Sequence, residues 1–197
     1  MEKIKILYID DAPDTSLSRY LDEYKQVNCE FEFSDIQFIP EEGYESLINN
    51  TDVRSANVIF IDSKLFENRT AIEGKFTGEE FKIILKKYFP FIEVIVITQN
   101  DIAEEYETMA KYNPAKGESA EIYYNSIIPE KIETAIRNIC ESRKIALDMK
   151  KNTNWESVLV EKITNSLNGC GTYDELTKED INEVISIFKE LQEKIDG

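Results

Sequence analysis

The sequence predicts an α/β protein built around a mostly parallel sheet. Segments with strand-like and helix-like apolar patterns alternate from residue 3 to about residue 140, which is the order expected of βαβ units. The segment at residues 4–9 is a nearly continuous apolar run, typical of a strand covered by helices on both faces. With 42% hydrophobic residues, the chain of 197 residues can bury a core.

Five strands are expected in this part of the chain. They span residues 4–9, 31–39, 57–61, 91–97 and 120–125. The second strand alternates apolar and polar residues, which indicates a more exposed strand near an edge of the sheet. The fifth is placed after Asn113-Pro114, a dipeptide that breaks the preceding helix.

Helices are expected between the strands, where apolar residues recur at helical spacing. They span residues 14–27, 41–50, 78–89 and 101–112, and a last one begins near Pro129 and runs to about Lys150. Pro90 ends the third helix, and Pro129 suits the first turn of the fifth. Residues 63–77 form a long connection after the third strand.

The composition changes near the end of the last of these helices, because no strand pattern follows. We therefore predict an α/β domain at residues 1–145 and a helical extension at residues 146–197. The extension contains two expected helices, at about 154–167 and 177–195. The apolar stripe of the final helix suits intramolecular packing, a homodimer face or a docking surface for another protein.

Charge and composition narrow the classes of partner and compartment. The net charge of −16 disfavours nucleic acid as a partner, since affinity for it depends largely on basic side chains. Three cysteines without zinc spacing indicate reduced thiols in a cytoplasmic protein. No apolar run approaches 18 residues, so no membrane-spanning helix is expected. The chain has no histidine, so a general acid or base must be another side chain.

Acidic residues stand where two of the apolar strands end. Asp10 and Asp11 follow the first strand, and Asp62 follows the third. The carboxyl ends of parallel strands meet at one crevice of an α/β sheet, so these carboxylates are expected to converge there. They would repel one another unless a cation lay between them, and carboxylate oxygens are ligands that Mg²⁺ prefers. Capping of the following helix is the alternative role for the Asp10-Asp11 pair.

The order of elements, with acids after strands one and three, resembles the receiver domain of two-component response regulators over about residues 3–140. The resemblance implies a flavodoxin-like (βα)5 three-layer fold with parallel sheet order 2-1-3-4-5, followed here by C-terminal helices. It matches Asp62 with the residue that accepts a phosphoryl group. It matches Asp10 and Asp11 with the acidic pair that organises Mg²⁺.

Further positions match the family, with one exception. Lys64 matches the residue whose backbone carbonyl reaches the metal, Thr98 the hydroxyl that binds a phosphoryl oxygen, and Tyr123 the aromatic switch on strand five. The lysine expected after strand five is missing from this alignment, which places Ser126 at its position. A neutral hydroxyl cannot replace an ion pair to phosphate, because charge-assisted hydrogen bonds are roughly twice as strong as neutral ones.

The resemblance implies a response-regulator-like signalling protein that is phosphorylated on Asp62 with Mg²⁺ and signals through a changed protein–protein contact. Its partners would be a histidine kinase or another phosphodonor and a downstream protein. No enzymatic activity is expected beyond self-phosphorylation and autodephosphorylation. Ser126 favours the alternative, a pseudo-receiver that acts as an adaptor without phosphorylation. A haloacid-dehalogenase-like phosphohydrolase is disfavoured, since residues 10–14 do not supply its D-x-D motif.

Overall fold

A sheet of five parallel strands organises the part of the chain that the structure describes. The computed structural model describes residues 2–65, 76–99, 108–151 and 157–169. The strands are β1 (Glu2–Asp10), β2 (Cys29–Gln37), β3 (Val58–Asp62), β4 (Glu93–Thr98) and β5 (Met109–Ala110). Their order is β2-β1-β3-β4-β5. The predicted α/β, flavodoxin-like fold with sheet order 2-1-3-4-5 is therefore confirmed.

Helices follow the strands, and local capping explains where several of them begin. They are α1 (Thr15–Glu23), α2 (Gly43–Asn49), α3 (Thr51–Ser55), α4 (Gly78–Tyr88), α5 (Ala120–Lys151) and α6 (Ser157–Leu167). The side chain of Asp14 accepts the Ser16 N–H at the start of α1. Thr77 and Glu80 form a capping box at the start of α4. Such caps satisfy backbone N–H groups that lack a partner within the helix.

The sheet separates two apolar cores because successive strand residues point to opposite faces. On β1, Ile6 and Tyr8 belong to the core that includes residues of α1 and α5. Leu7 and Ile9 belong to the core that includes residues of α2, α3 and α4. Residues 6–10 of β1 are buried, in agreement with the apolar run at residues 4–9, which predicted a strand covered on both faces. β3 is buried along its whole length.

The fifth strand lies elsewhere than predicted. It comprises only Met109–Ala110, which pair with Ile97 and Thr98 of β4, whereas residues 120–125 form the first turns of α5. A short apolar run cannot be assigned to strand or helix by its pattern alone, and a two-residue strand has no readable pattern. The predicted helix at 101–112 is wrong at residues 109–110, and its residues 101–107 lie outside the described part.

Helix α5 also differs from its prediction. It begins at Ala120 rather than at Pro129, which lies inside it, whereas its end at Lys151 agrees with the predicted end near Lys150. The predicted helix at about 154–167 is present as α6, whereas the one at 177–195 lies outside the described residues. Within the part that the structure describes, no helix is long and apolar enough to span a membrane.

The side chain of Arg143 on α5 connects the sheet to the end of α6. It donates to the carboxylate of Glu2 at 2.6 Å and to the carbonyl of Leu167 at 3.2 Å. The described part of the C-terminal segment is therefore packed against α5 and the start of β1, and the division into domains at residue 145 stays a prediction.

Candidate functional site

Three carboxylates converge at the carboxyl end of the sheet, as the sequence predicted. Asp10 ends β1 and Asp62 ends β3, and these two strands are neighbours. Asp10 is 1% exposed and Asp62 is 4% exposed, whereas Asp11 is half-buried. One carboxylate oxygen from each residue lies within 4.8 Å of the others. The strand ends have thus brought the three acids into one site.

A buried lysine lies between two of these acids. The Lys111 ammonium nitrogen is 2.6 Å from Oδ2 of Asp10 and 2.7 Å from Oδ1 of Asp62. Lys111 is 8% exposed and follows β5 directly, and its backbone N–H donates to the carbonyl of Thr98 at 2.7 Å. The lysine expected after strand five is therefore present as Lys111, and placing Ser126 at that position was wrong.

Both residues that the sequence assigned to strand five and its end belong to α5. Ser126 is exposed, and its hydroxyl donates to the carbonyl of Tyr123 at 2.7 Å. The half-buried Tyr123 donates its hydroxyl to the carbonyl of Ala110 in β5 at 2.9 Å. Tyr123 thus contacts strand five from a helix rather than lying within that strand. The misplacement of both residues follows from the misplacement of β5.

Backbone and hydroxyl donors also hold the two buried carboxylates. The N–H of Lys64 donates to Oδ2 of Asp62 at 2.8 Å, which places the Lys64 backbone beside the site. The N–H of Ala12 donates to Oδ1 of Asp10 at 3.0 Å, and the Tyr8 hydroxyl donates to Oδ2 of Asp10. Hydrogen bonds of this kind stabilise the charged form of a carboxylate that has been removed from water.

The start of α4 packs tightly on the turn that follows Asp62. A Cβ atom at Gly78 would lie 2.5 Å from the carbonyl oxygen of Asp62 and 2.8 Å from Cα of Ser63. The N–H of Gly78 donates to the carbonyl of Ser63 at 2.8 Å, and the Ser63 N–H donates to the carbonyl of Ile97 at 2.7 Å. Glycine is needed at residue 78 because the backbone approach leaves no space for a side chain.

The site is an acidic pocket in which the Lys111 ammonium faces the carboxylates of Asp10 and Asp62. Burial raises the pKa of Asp62, although Lys111 acts to lower it. Burial also raises the pKa of Asp11, and Asp10 and the charge of Asp62 raise it further. Burial acts to lower the pKa of Lys111, but its hydrogen bonds to Asp10 and Asp62 outweigh this effect and raise it. Three carboxylates facing one ammonium leave an excess of negative charge when all four are ionised.

This set of donors fits a divalent cation of the magnesium class. Asp10, Asp11 and Asp62 offer oxygen ligands, which Mg²⁺ takes in combination with water. Thr98 lies at the end of β4, 7% exposed, and its carbonyl accepts the Lys111 N–H. The predicted residues Asp10, Asp11, Asp62, Lys64 and Thr98 therefore lie on adjoining strand ends and turns.

Two features of the site were missed by reasoning from the sequence. Lys111 lies within residues 101–112, for which the sequence predicts a helix. Tyr8 lies inside the apolar run at residues 4–9, and that pattern indicates only a buried strand position. For Tyr8, the sequence offers one signal, which is its spacing from Asp10. Tyr8 stands two residues before Asp10, so both side chains lie on the same face of β1.

No family model matches the chain, and no curated protein matches it. Among solved structures, the RcsB response regulator of Salmonella typhimurium is 13% identical, with 86% of this chain and 93% of that one covered and a TM-score of 0.37. An RcsB–DNA complex is 17% identical, with 85% and 93% covered and a TM-score of 0.40. RcsB of Salmonella enterica serovar Typhimurium, bound to promoter DNA with a phosphomimetic, is 17% identical, with 84% and 92% covered and a TM-score of 0.36.

These similarities are too low to transfer a residue's role or a partner to this chain. Two of these neighbours were solved with DNA, so they give no support to the prediction that nucleic acid is not a partner. That prediction rests on the net charge of −16 alone.

Proposed function

We propose that this protein is a response-regulator-like signalling protein that accepts a phosphoryl group on Asp62 with the help of Mg²⁺. One observation carries the proposal. The Lys111 ammonium, at the end of strand five, lies 2.6 Å and 2.7 Å from the carboxylates that end strands one and three. Together with Asp11, this gives the acidic residues and the lysine that the receiver resemblance requires.

The proposed cation ligands are the carboxylates of Asp10, Asp11 and Asp62 and the backbone carbonyl of Lys64. When bound, Mg²⁺ would offset the repulsion among the carboxylates and the charge of an incoming phosphoryl group. The excess negative charge of the site supports this role, as does the position of Lys64, whose N–H is bonded to Asp62 at 2.8 Å.

The proposed reaction is the transfer of a phosphoryl group to a carboxylate nucleophile. An oxygen of Asp62 forms a bond to phosphorus while the bond between phosphorus and the leaving group breaks, and the leaving group keeps the electron pair. Lys111 already lies within hydrogen-bond distance of Asp62, so it is placed to pair with an oxygen of the attached phosphoryl group. The hydroxyl of Thr98 is proposed as a second donor.

The proposed output is a changed contact with a downstream protein. Tyr123 supports a route from the site to the surface, because its hydroxyl binds the carbonyl of Ala110, immediately before Lys111, and the residue lies on α5. Phosphorylation that drew Lys111 toward a phosphate would act on this contact. The adaptor alternative depended on the absence of a lysine after strand five, so the position of Lys111 beside Asp10 and Asp62 favours the phosphorylated form of the proposal.

Binding of beryllofluoride, a mimic of the phosphoryl group, tests the proposal by titration calorimetry with and without Mg²⁺. We expect Mg²⁺-dependent binding by the wild type, none by Asp62→Asn, and strong weakening by Lys111→Met. Ser126→Ala is the matched control, since Ser126 bonds to the backbone of its own helix, and it should bind as the wild type does. Absence of Mg²⁺-dependent binding by the wild type, or equal binding by Asp62→Asn, would overturn the proposal.

A further inference from the structure

A buried hydroxyl reaches the acidic site from within the sheet. Tyr8 on β1 is 0% exposed, and its hydroxyl donates to Oδ2 of Asp10. The same oxygen accepts a hydrogen bond from Lys111 at 2.6 Å, while Oδ1 accepts the N–H of Ala12. Both lone pairs of Oδ2 are thus engaged by protein donors.

The carboxylate of Asp62 accepts fewer hydrogen bonds on each oxygen than Oδ2 of Asp10 does. In the described part of the chain, Oδ1 of Asp62 accepts a hydrogen bond from the Lys111 ammonium. Oδ2 accepts one from the backbone N–H of Lys64, so each oxygen has one donor. A carboxylate oxygen with one donor keeps a lone pair for a cation, whereas an oxygen with two donors must release one of them first. The two buried acids therefore differ in how readily they can bind a metal, and the Tyr8 hydroxyl is one cause of the difference.

The Tyr8 hydroxyl is itself held in place. It accepts the N–H of Asp14 at 3.2 Å, and Oδ2 of Asp14 accepts the hydroxyl of Tyr124 on α5 at 3.1 Å. The Tyr124 hydroxyl in turn accepts the N–H of Tyr112 at 3.2 Å, and Tyr112 follows Lys111 in the chain. These hydrogen bonds form a network that runs from Tyr8 through Asp14 and Tyr124 to the residue next to Lys111. Tyr8 therefore cannot turn away from Asp10 without breaking its hydrogen bond to Asp14.

We propose that Tyr8 is a positioning residue that holds Asp10 toward Lys111, keeps one oxygen of Asp10 from direct contact with a cation, and so weakens the affinity of the site for Mg²⁺. The inference rests on the proposed function, since the cation site is the one proposed there. It concerns a hydroxyl that belongs neither to the cation ligands nor to the phosphoacceptor.

The test is Tyr8→Phe in the full chain, with Mg²⁺ affinity measured by titration calorimetry in the absence of a phosphodonor. The substitution keeps the ring in the core and removes only the hydroxyl. We expect Mg²⁺ to bind roughly five- to tenfold more tightly, because Oδ2 of Asp10 loses a charge-assisted hydrogen bond and regains a lone pair. Damage to the fold would weaken binding, so a gain in affinity distinguishes positioning from packing.

Tyr20→Phe is the matched control. The Tyr20 ring packs beside the same core, and its hydroxyl donates to Oδ1 of Asn125 at 2.9 Å rather than to an acid of the site. Its Mg²⁺ affinity should equal that of the wild type. Equal or weaker binding by Tyr8→Phe, relative to wild type and control, would overturn the inference and leave the proposed function intact.

The remaining outcomes separate the two proposals. Binding by Tyr8→Phe but not by the wild type would support the role of Tyr8 and overturn the proposed function, whereas no binding by either protein would overturn both. If Tyr8→Phe does not fold, Tyr124→Phe takes its place, because it removes the hydroxyl that holds Asp14. We then expect about twofold tighter Mg²⁺ binding, and an unchanged affinity would overturn the inference.

Discussion

Replacing Lys111 by methionine removes the ammonium group from between two buried carboxylates while keeping an unbranched apolar side chain. The wild-type ammonium lies 2.6 Å from Asp10 and 2.7 Å from Asp62, and these acids are 1% and 4% exposed. Removing one partner of a buried ion pair costs about 3–5 kcal/mol, because an uncompensated charge remains. Two carboxylates lose the same partner here, so we expect a loss of about 4–5 kcal/mol in the free energy of unfolding at pH 7 without divalent cations.

Urea unfolding followed by far-ultraviolet circular dichroism measures this loss. Saturating Mg²⁺ should restore much of the stability of Lys111→Met, because a bound cation replaces the missing positive charge and stabilises only the folded state. Lys3→Met is the control: the exposed Lys3 lies 3.9 Å from Glu30, and losing this surface pair should cost less than about 1 kcal/mol. A loss of less than about 1 kcal/mol for Lys111→Met, or no recovery of its stability with Mg²⁺, would show that Lys111 does not neutralise the two buried carboxylates.

Two further predictions concern the acids and the turn beside them. The raised pKa of Asp11 means that the folded state favours the protonated carboxyl group. This group therefore adds its full contribution to the free energy of unfolding below pH 3.8, its pKa in the unfolded chain, and loses it as the pH rises through the folded pKa. Without divalent cations, Asp11→Asn should therefore become more stable than the wild type as the pH rises toward 7. The gain should be less than about 1 kcal/mol, because the group is half-exposed. A difference in urea unfolding that does not depend on pH would contradict this prediction. Gly78→Ala should lose about 1–3 kcal/mol, because its Cβ would lie 2.5 Å from the Asp62 carbonyl oxygen, and should bind beryllofluoride more weakly. Wild-type values in both measurements would show that the turn accommodates a methyl group.

The parts of the fold that the sequence predicts correctly are those with strong apolar patterns. β1 and β3 are buried runs that end in acids, and the carboxyl ends of neighbouring parallel strands share one edge. The convergence of Asp10, Asp11 and Asp62 could therefore be predicted from strand ends alone. That prediction required the positions of the strand ends and no knowledge of side-chain contacts.

The errors arise where the structure depends on contacts that a local pattern does not contain. β5 has two residues, and it is a strand because Met109 and Ala110 pair with the end of β4, the neighbouring strand in the sheet, from which they are separated along the chain. Because β5 was predicted at residues 120–125, the position after strand five was predicted at Ser126 and not at Lys111. The hydroxyl of Tyr8 was missed for a related reason, since its contact with Asp10 is made inside a strand that reads as core.

Phosphorylation of Asp62 is tested most directly by the intact mass of the protein after incubation with acetyl phosphate and Mg²⁺. We expect the wild type to gain the mass of one phosphoryl group, chelation of Mg²⁺ to prevent the gain, and Asp62→Asn to show none. A wild type that gains no phosphoryl group under these conditions, or an adduct that persists in Asp62→Asn, would contradict the claim that Asp62 is the phosphoacceptor.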